Sequence, residues 1–165
     1  MKKLFAFLAA AIISVAACAQ ATQGDIAVGA NFVYGSGIEN VGLGARFQYT
    51  FIDHLRGEVG FNYFFKKHGN SWADININAE WLVTIKEDKF FVYPIAGLNY
   101  TMANFKVDVE GGGKRNDEEN HVGLNLGAGL QYNINDHFGV SLEYRHTIIR
   151  KVDQGVLGLG VNYKF

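Results

Sequence analysis

Three groups of residues could do chemistry. Tyr144-Arg145-His146-Thr147-Ile148 sets a histidine beside a hydroxyl, the raw material of a general base and a nucleophile. Asp117-Glu118-Glu119, with His121 close behind, could gather around a divalent cation. A third group is dispersed: Arg46, Arg56, Arg145 and Lys164 against Glu58, Asp74, Glu80 and Glu143. Four positive and four negative charges could line a pore or neutralise one another in a confined space. Which of these is feasible depends on the elements that carry them.

Those elements are written in a two-residue alternation. The last eleven residues, GVLGLGVNYKF, put Leu157, Leu159, Val161, Tyr163 and Phe165 on one face and Val156, Gly158, Gly160, Asn162 and Lys164 on the other. Successive side chains leave a pleated backbone on opposite sides, so period two marks strands. The same pattern predicts strands over residues 25–35, 41–51, 55–65, 73–85, 92–102, 122–132, 138–148 and 155–165. Eight strands of about eleven residues are long enough to cross a bilayer tilted. The 92–102 strand is the least regular, because Pro94 cannot donate a ladder hydrogen bond. Pro94 is therefore expected near the periplasmic rim.

Parity now sorts the chemistry. His146 and Thr147 fall on opposite faces, and Ile148, which shares the histidine's face, has no hydroxyl. Base and nucleophile must come within hydrogen-bond reach, so this stretch reads as an interfacial histidine. The acidic run lacks the alternating ligands and central glycine of a calcium loop and reads as a solvated loop. No cofactor and no catalytic or metal residue is expected. The eight dispersed charges share the face that is otherwise Gly, Asn and Gln.

That face decides what surrounds the barrel. A surface turned to water is normally rich in Lys, Glu and Thr, whereas this polar face carries few charges and balances them. Aromatics gather at strand ends, with Tyr49, Phe51, Trp81, Tyr132 and Phe138 towards one rim. Phe32, Tyr34, Tyr63, Phe65, Tyr100 and Tyr144 are assigned to the other. Such girdles belong where a membrane meets water. The expected fold is an all-β, eight-stranded antiparallel up-and-down transmembrane barrel, apolar outside and polar inside. At eight strands side chains fill the interior, so the charges are expected to form a packed plug of ion pairs. A narrow pore is the alternative.

The N-terminus carries Lys2 and Lys3, then sixteen uncharged residues ending in Ala17-Cys18-Ala19. This is a secretory signal over residues 1–19, leaving residues 20–165 as the barrel domain. Val15-Ala16-Ala17-Cys18 also fits a lipid-attachment site at Cys18. Cleavage before Gln20 would leave no cysteine and no disulfide chemistry. Without Lys2 and Lys3 the chain has 13 basic against 16 acidic residues, which does not point to a nucleic-acid partner.

The ending Gly158-x-Gly160-Val161-x-Tyr163-x-Phe165, the run from Ile149 to Asp153, and Gly127-Ala128-Gly129-Leu130-Gln131-Tyr132 are similar to a known family. The chain resembles the small eight-stranded outer-membrane barrels of the OmpX/Ail type, within the OmpA-like barrel group. The resemblance implies a bacterial outer-membrane location, with surface adhesion or envelope integrity through extracellular loops as the role. It supplies no catalytic residues. Some barrels of this size are lipid A deacylases carrying His-x-Ser on the penultimate strand; here Ile148 occupies the serine position.

Partners follow from position. Val161, Tyr163 and Phe165 resemble the C-terminal signal read by the barrel-assembly machinery. Lys66, Lys67, Arg150 and Lys151 lie just past strand ends, where they could meet phosphates of lipopolysaccharide. Residues 103–120 form the longest connection. Phe105, Val107 and Val109 continue the alternation there, and Gly111-Gly112-Gly113 permits a reversal. This segment is either a protruding hairpin able to recruit a partner strand or a polar loop, and it is the place for a host-surface or matrix ligand.

Overall fold

The computed structural model describes residues 23–67, 70–86, 89–109, 113–149 and 153–165. The signal segment, with Cys18, lies outside them. Nine elements follow in chain order: β1 (Ile26–Gly35), β2 (Asn40–Ile52), β3 (Leu55–Lys67), β4 (Asn70–Trp81), β5 (Val83–Lys86), β6 (Phe90–Val109), β7 (Gly113–Asn133), β8 (Phe138–Ile149) and β9 (Gln154–Lys164). Every neighbouring pair is antiparallel. The last strand pairs with the first from Ala27↔Lys164 to Gly35↔Val156, and β4 pairs with β6, so the sheet closes on itself.

β4 and β5 are one stave with a gap, which makes the barrel eight-stranded. The sequence predicts an unbroken strand over residues 73–85. In the fold, pairing with β6 runs to Glu80↔Ile95 and resumes in the same register at Val83↔Val92. Trp81 stands opposite Pro94 in that register, and proline has no N–H to donate. Leu82 N donates instead to His54 O at 2.7 Å. Val83, expected on the outer face, keeps the face of its partner Val92 but is buried.

Closure is specified by the alternation. Along β8 the side chains run exposed and buried by turns, and the same beat recurs in β2 and β9. Outward positions such as Leu43, Ile77, Leu126 and Leu159 are large, apolar and more than half exposed. Inward positions such as Gln48, Glu58, Asn76, Glu80 and Asn125 are polar and almost completely buried. This inversion of the usual globular rule suits a sheet whose solvent is lipid, since a closed barrel leaves no unpaired edge within the bilayer.

The interior is not uniformly polar. Leu82, Phe91, Tyr93 and Ile95 form an apolar cluster near the end that carries both termini. Val33, Phe64 and Val156, backed by Ile38 and Trp72, form another towards the opposite end. The alternation in residues 92–102 is too irregular to reveal the first cluster from sequence.

The two ends differ. At the terminal end the connections are tight, and Asn135 Oδ1 accepts from the backbone N–H of His137 (3.0 Å) and Phe138 (2.7 Å) to hold one of them. At the other end β6 and β7 outrun their neighbours. The ladder continues through Ala103↔Glu119 to Val109↔Gly113, while β8 leaves β7 at Gly123↔Ile149. Of the two sequence readings of residues 103–120, the backbone follows the hairpin. Short turns at one end and long excursions at the other are the asymmetry of outer-membrane barrels, which assigns the terminal end to the periplasm.

Candidate functional site

The bore is crossed at mid-height by polar side chains sent inward from staves on opposite sides of the barrel. Arg46 on β2 reaches Glu143 on β8, Ser141 on β8 and, at 3.5 Å, Glu58 on β3. Its Nε donates to Asn162 Oδ1 on β9 at 2.8 Å. Small residues make this span possible, since a Cβ at Gly160 would run into the guanidinium. Arg145 on β8 lies 3.7 Å from the other oxygen of Glu58. Arg56 pairs with Glu80 at 2.5 Å and donates to Gln131 Oε1 at 2.8 Å.

Carboxylate oxygens of Glu58, Glu80 and Glu143 lie within 4.8 Å of one another, a spacing that could hold a metal ion. Three guanidinium groups stand where a cation would. The three pairs Arg46–Glu143, Arg145–Glu58 and Arg56–Glu80 neutralise the cluster internally. Breaking such a buried pair is costly, because the remaining charge has no water to turn to.

Above the charges lies a layer of amides. Asn31 donates to Asn62 (2.9 Å), Asn62 to Asp74 (2.7 Å), Asn99 to Asn76 (2.9 Å) and Asn125 to Asn76 and Asn78 (2.8 and 3.0 Å). Asn78 Nδ2 then donates to Glu58 Oε1 at 3.0 Å, tying the two layers together. Asn62, Asn76, Asn78, Asn99 and Asn125 each donate and accept, so they satisfy one another around the bore, whereas Asn31 donates only and its buried Oδ1 has no partner.

Six of the eight charges singled out in the sequence thus meet: Arg46, Arg56, Arg145, Glu58, Glu80 and Glu143. Two stand apart. Asp74 is buried among the asparagines, accepting from Asn62 and Asn76. Lys164, at the end of the last strand, reaches the mouth and pairs with Asp25 at 3.3 Å while remaining 41 % exposed. Sequence reading missed Tyr93, Asn162 and Ser141. Asn162 and Ser141 had the right parity, but small polar side chains give no sign of which arginine they serve.

Below the plug, a cavity of about 240 Å³ opens at the terminal end between Asp25, Lys89, His137 and Lys164, with Arg56 and Gln48 among its lining. On the outer wall Tyr163 meets Phe138 and Phe165 edge-on, both at 5.1 Å between ring centres, and stacks on His137 at 5.7 Å. This is the girdle at the periplasmic rim. Val161, Tyr163 and Phe165 all face outward there, Phe165 being 71 % exposed. Tyr63 and Phe65 meet at 6.5 Å on the opposite rim.

His146 and Thr147 are on opposite sides of the wall. Thr147 Oγ1 points inward and donates to Asn125 Oδ1 at 2.8 Å, and the outward neighbour Ile148 is exposed to the membrane. Lys66 and Lys67 end β3, and their side chains lie outside the described residues, as do Arg150 and Lys151 entirely. The backbone of Asp117, Glu118 and Glu119 belongs to β7, with side chains likewise outside the description.

A closed eight-stranded wall with an apolar exterior and an ion-paired polar bore is matched by a family model for the outer membrane protein beta-barrel domain, over residues 5–165. The chain belongs to that family. The outer-membrane barrel is similar to several solved structures. The N-terminal barrel of Pseudomonas aeruginosa OprF matches with a TM-score of 0.73 at 15 % identity, covering 87 % of this chain and 98 % of that one. Ail, the attachment invasion locus protein of Yersinia pestis, matches with 0.63 at 20 %, covering 87 % and 100 %. OprG of Pseudomonas aeruginosa matches with 0.63 at 17 %, covering 87 % and 96 %. At these identities the likeness is one of fold, and it fits the OmpX/Ail-type resemblance in the sequence. No curated protein sequence matches the chain.

Proposed function

We propose that this outer-membrane barrel is a non-enzymatic surface protein that serves adhesion or envelope integrity through its outer loops. The observation that carries the reading is the contrast between its two halves. The bore is spent on internal ion pairs, whereas the β6–β7 hairpin continues about ten residues past the neighbouring strand. At about 3.3 Å per residue that is ~30 Å of ladder along the strand. Structure built beyond the bilayer is where a ligand can be met. One of the similar folds belongs to a protein named for attachment and invasion.

Further partners fit this placement. Lys66, Lys67, Arg150 and Lys151, beyond the outer strand ends, suit lipopolysaccharide phosphates. The outward Val161, Tyr163 and Phe165 suit the assembly machinery, and the N-terminal signal is the route through the periplasm.

Replacing residues 106–119 by a short Gly-Ser turn tests the adhesive role. The deletion leaves the bilayer-spanning ladder intact, and loop-closure entropy changes slowly with length. The variant is expected to fold, with boiled and unboiled samples differing in gel mobility, and to lose binding of cells to host surfaces or matrix. A folded variant that adheres like the parent refutes the hairpin's role. Two other readings have their own tests. A steady open conductance in planar bilayers would favour a pore, and release of acyl chains from lipid A would establish an enzyme.

A further inference from the structure

Above Gly123 strand β7 leaves its β8 neighbour, and among the described residues positions 113–122 pair with β6 alone. An edge of that length presents a row of backbone donors and acceptors that templates another strand. We propose that the occupant is the same edge of a second copy held in an opposing membrane, so that the protein joins two surfaces by antiparallel β7–β7 pairing. The inference uses the same hairpin as the adhesive reading but does not depend on that reading's ligand.

The charge order along the edge selects this partner. Lys114-Arg115-Asn116-Asp117-Glu118-Glu119 is positive at the tip and negative towards the membrane. Reversed about Asn116, as a two-fold axis through identical edges requires, it sets Lys114 at the register position opposite Glu118 of the second copy, and Arg115 opposite Asp117. The two-fold relation repeats both pairs. Directly opposed residues of unlike charge favour strand pairing, and like charges oppose it. Two copies in one membrane point the same way, and parallel edges would bring basic tip against basic tip and acidic run against acidic run. Antiparallel edges require barrels that face each other across a gap. The register within the hairpin extends the pattern, because Asp108 is already opposite Lys114 on the β6 side. One row of the combined sheet would therefore read Asp108, Lys114, then Glu118 of the second copy.

The test is clustering of phosphatidylcholine vesicles carrying the reconstituted full chain, followed by light scattering at low ionic strength. Two variants reverse one half of the edge each: Lys114→Glu with Arg115→Glu, and Asp117→Lys with Glu118→Lys. Heat-modifiable gel mobility checks that both barrels fold. Wild-type vesicles are expected to cluster, and each variant alone to cluster roughly tenfold more slowly or worse. An equal mixture of the two variant populations should recover, because the reversed charges complement each other only across the mixture. A variant that clusters alone like wild type, or a mixture that stays dispersed, overturns the proposal. Binding of the same vesicles to a matrix-coated surface reads the adhesive role separately, so the loss of either property is distinguishable from loss of the other.

Discussion

Tyr93 and Glu143 join staves that are not neighbours: the phenol on β6 donates to Glu143 Oε1 on β8 at 2.7 Å, over the head of β7. The link spans part of the bore beside the charged cluster. The same ring lies 5.0 Å from the Arg56 guanidinium, a distance suited to a cation–π contact. It fits because the intervening strand has Gly129 at that level, where a Cβ would overlap the ring.

Tyr93→Phe removes a hydrogen bond to a charged acceptor and should cost about 1–3 kcal/mol. Gly129→Leu should destabilise as much or more, by driving the ring from its place. Urea unfolding in lipid vesicles measures both. Equal stability of Tyr93→Phe and the parent would show that the phenol is bystander rather than tie.

The Arg56–Glu80 pair offers a sharper test, since Glu80 is fully buried and Arg56 nearly so. Glu80→Leu alone leaves a buried guanidinium and should cost about 3–5 kcal/mol, while Arg56→Met with Glu80→Leu should recover much of the loss. A double variant no more stable than the single would mean that the charges serve their other partners, Gln131 and Tyr93, more than each other.

Leu43 faces outward between Phe32 and Tyr63 and is 54 % exposed. Level with those rim aromatics, Leu43→Arg should cost only about 0–1 kcal/mol in a bilayer, whereas Ile77→Arg, midway between the Trp81 and Tyr63 levels, should cost roughly 2–4 kcal/mol. Gly44, its neighbour, faces Asn31 and Asn62 inside the bore, so Gly44→Leu should fail by crowding. Unchanged stability of Ile77→Arg in bilayers would reverse the assignment of inside and outside.

Removing Phe165 should separate assembly from folding. The residue holds one backbone bond, Phe165 N to Ile26 O at 3.0 Å, and its ring is on the outer wall. The shortened chain should therefore refold in detergent with its heat-modifiable mobility, whereas the amount of folded barrel in cell envelopes should drop. Unaltered assembly in cells would remove Phe165 from the insertion signal.

The alternation of Ile75, Ile77, Ala79 and Trp81 with Asp74, Asn76, Asn78 and Glu80 already stated which side of that strand meets lipid, because a pleat leaves each side chain only one of two faces. Eight such segments, balanced inner charges and aromatic strand ends were enough for the barrel and its membrane. Partners within the plug were not legible. Arg46 could have met any inward carboxylate, and its distances to Glu58 and Glu143 depend on stagger and on which residues along its path are glycine. Lys164 had the inward parity of the others yet ends at the mouth, since depth along the axis is invisible to a period of two. Tyr93 was hidden by Pro94, whose missing N–H breaks the local ladder and blurs the pattern by which its face would be read. Parity is a property of the chain and survives in the sequence; height and cross-bore distance arise only when the first strand meets the last.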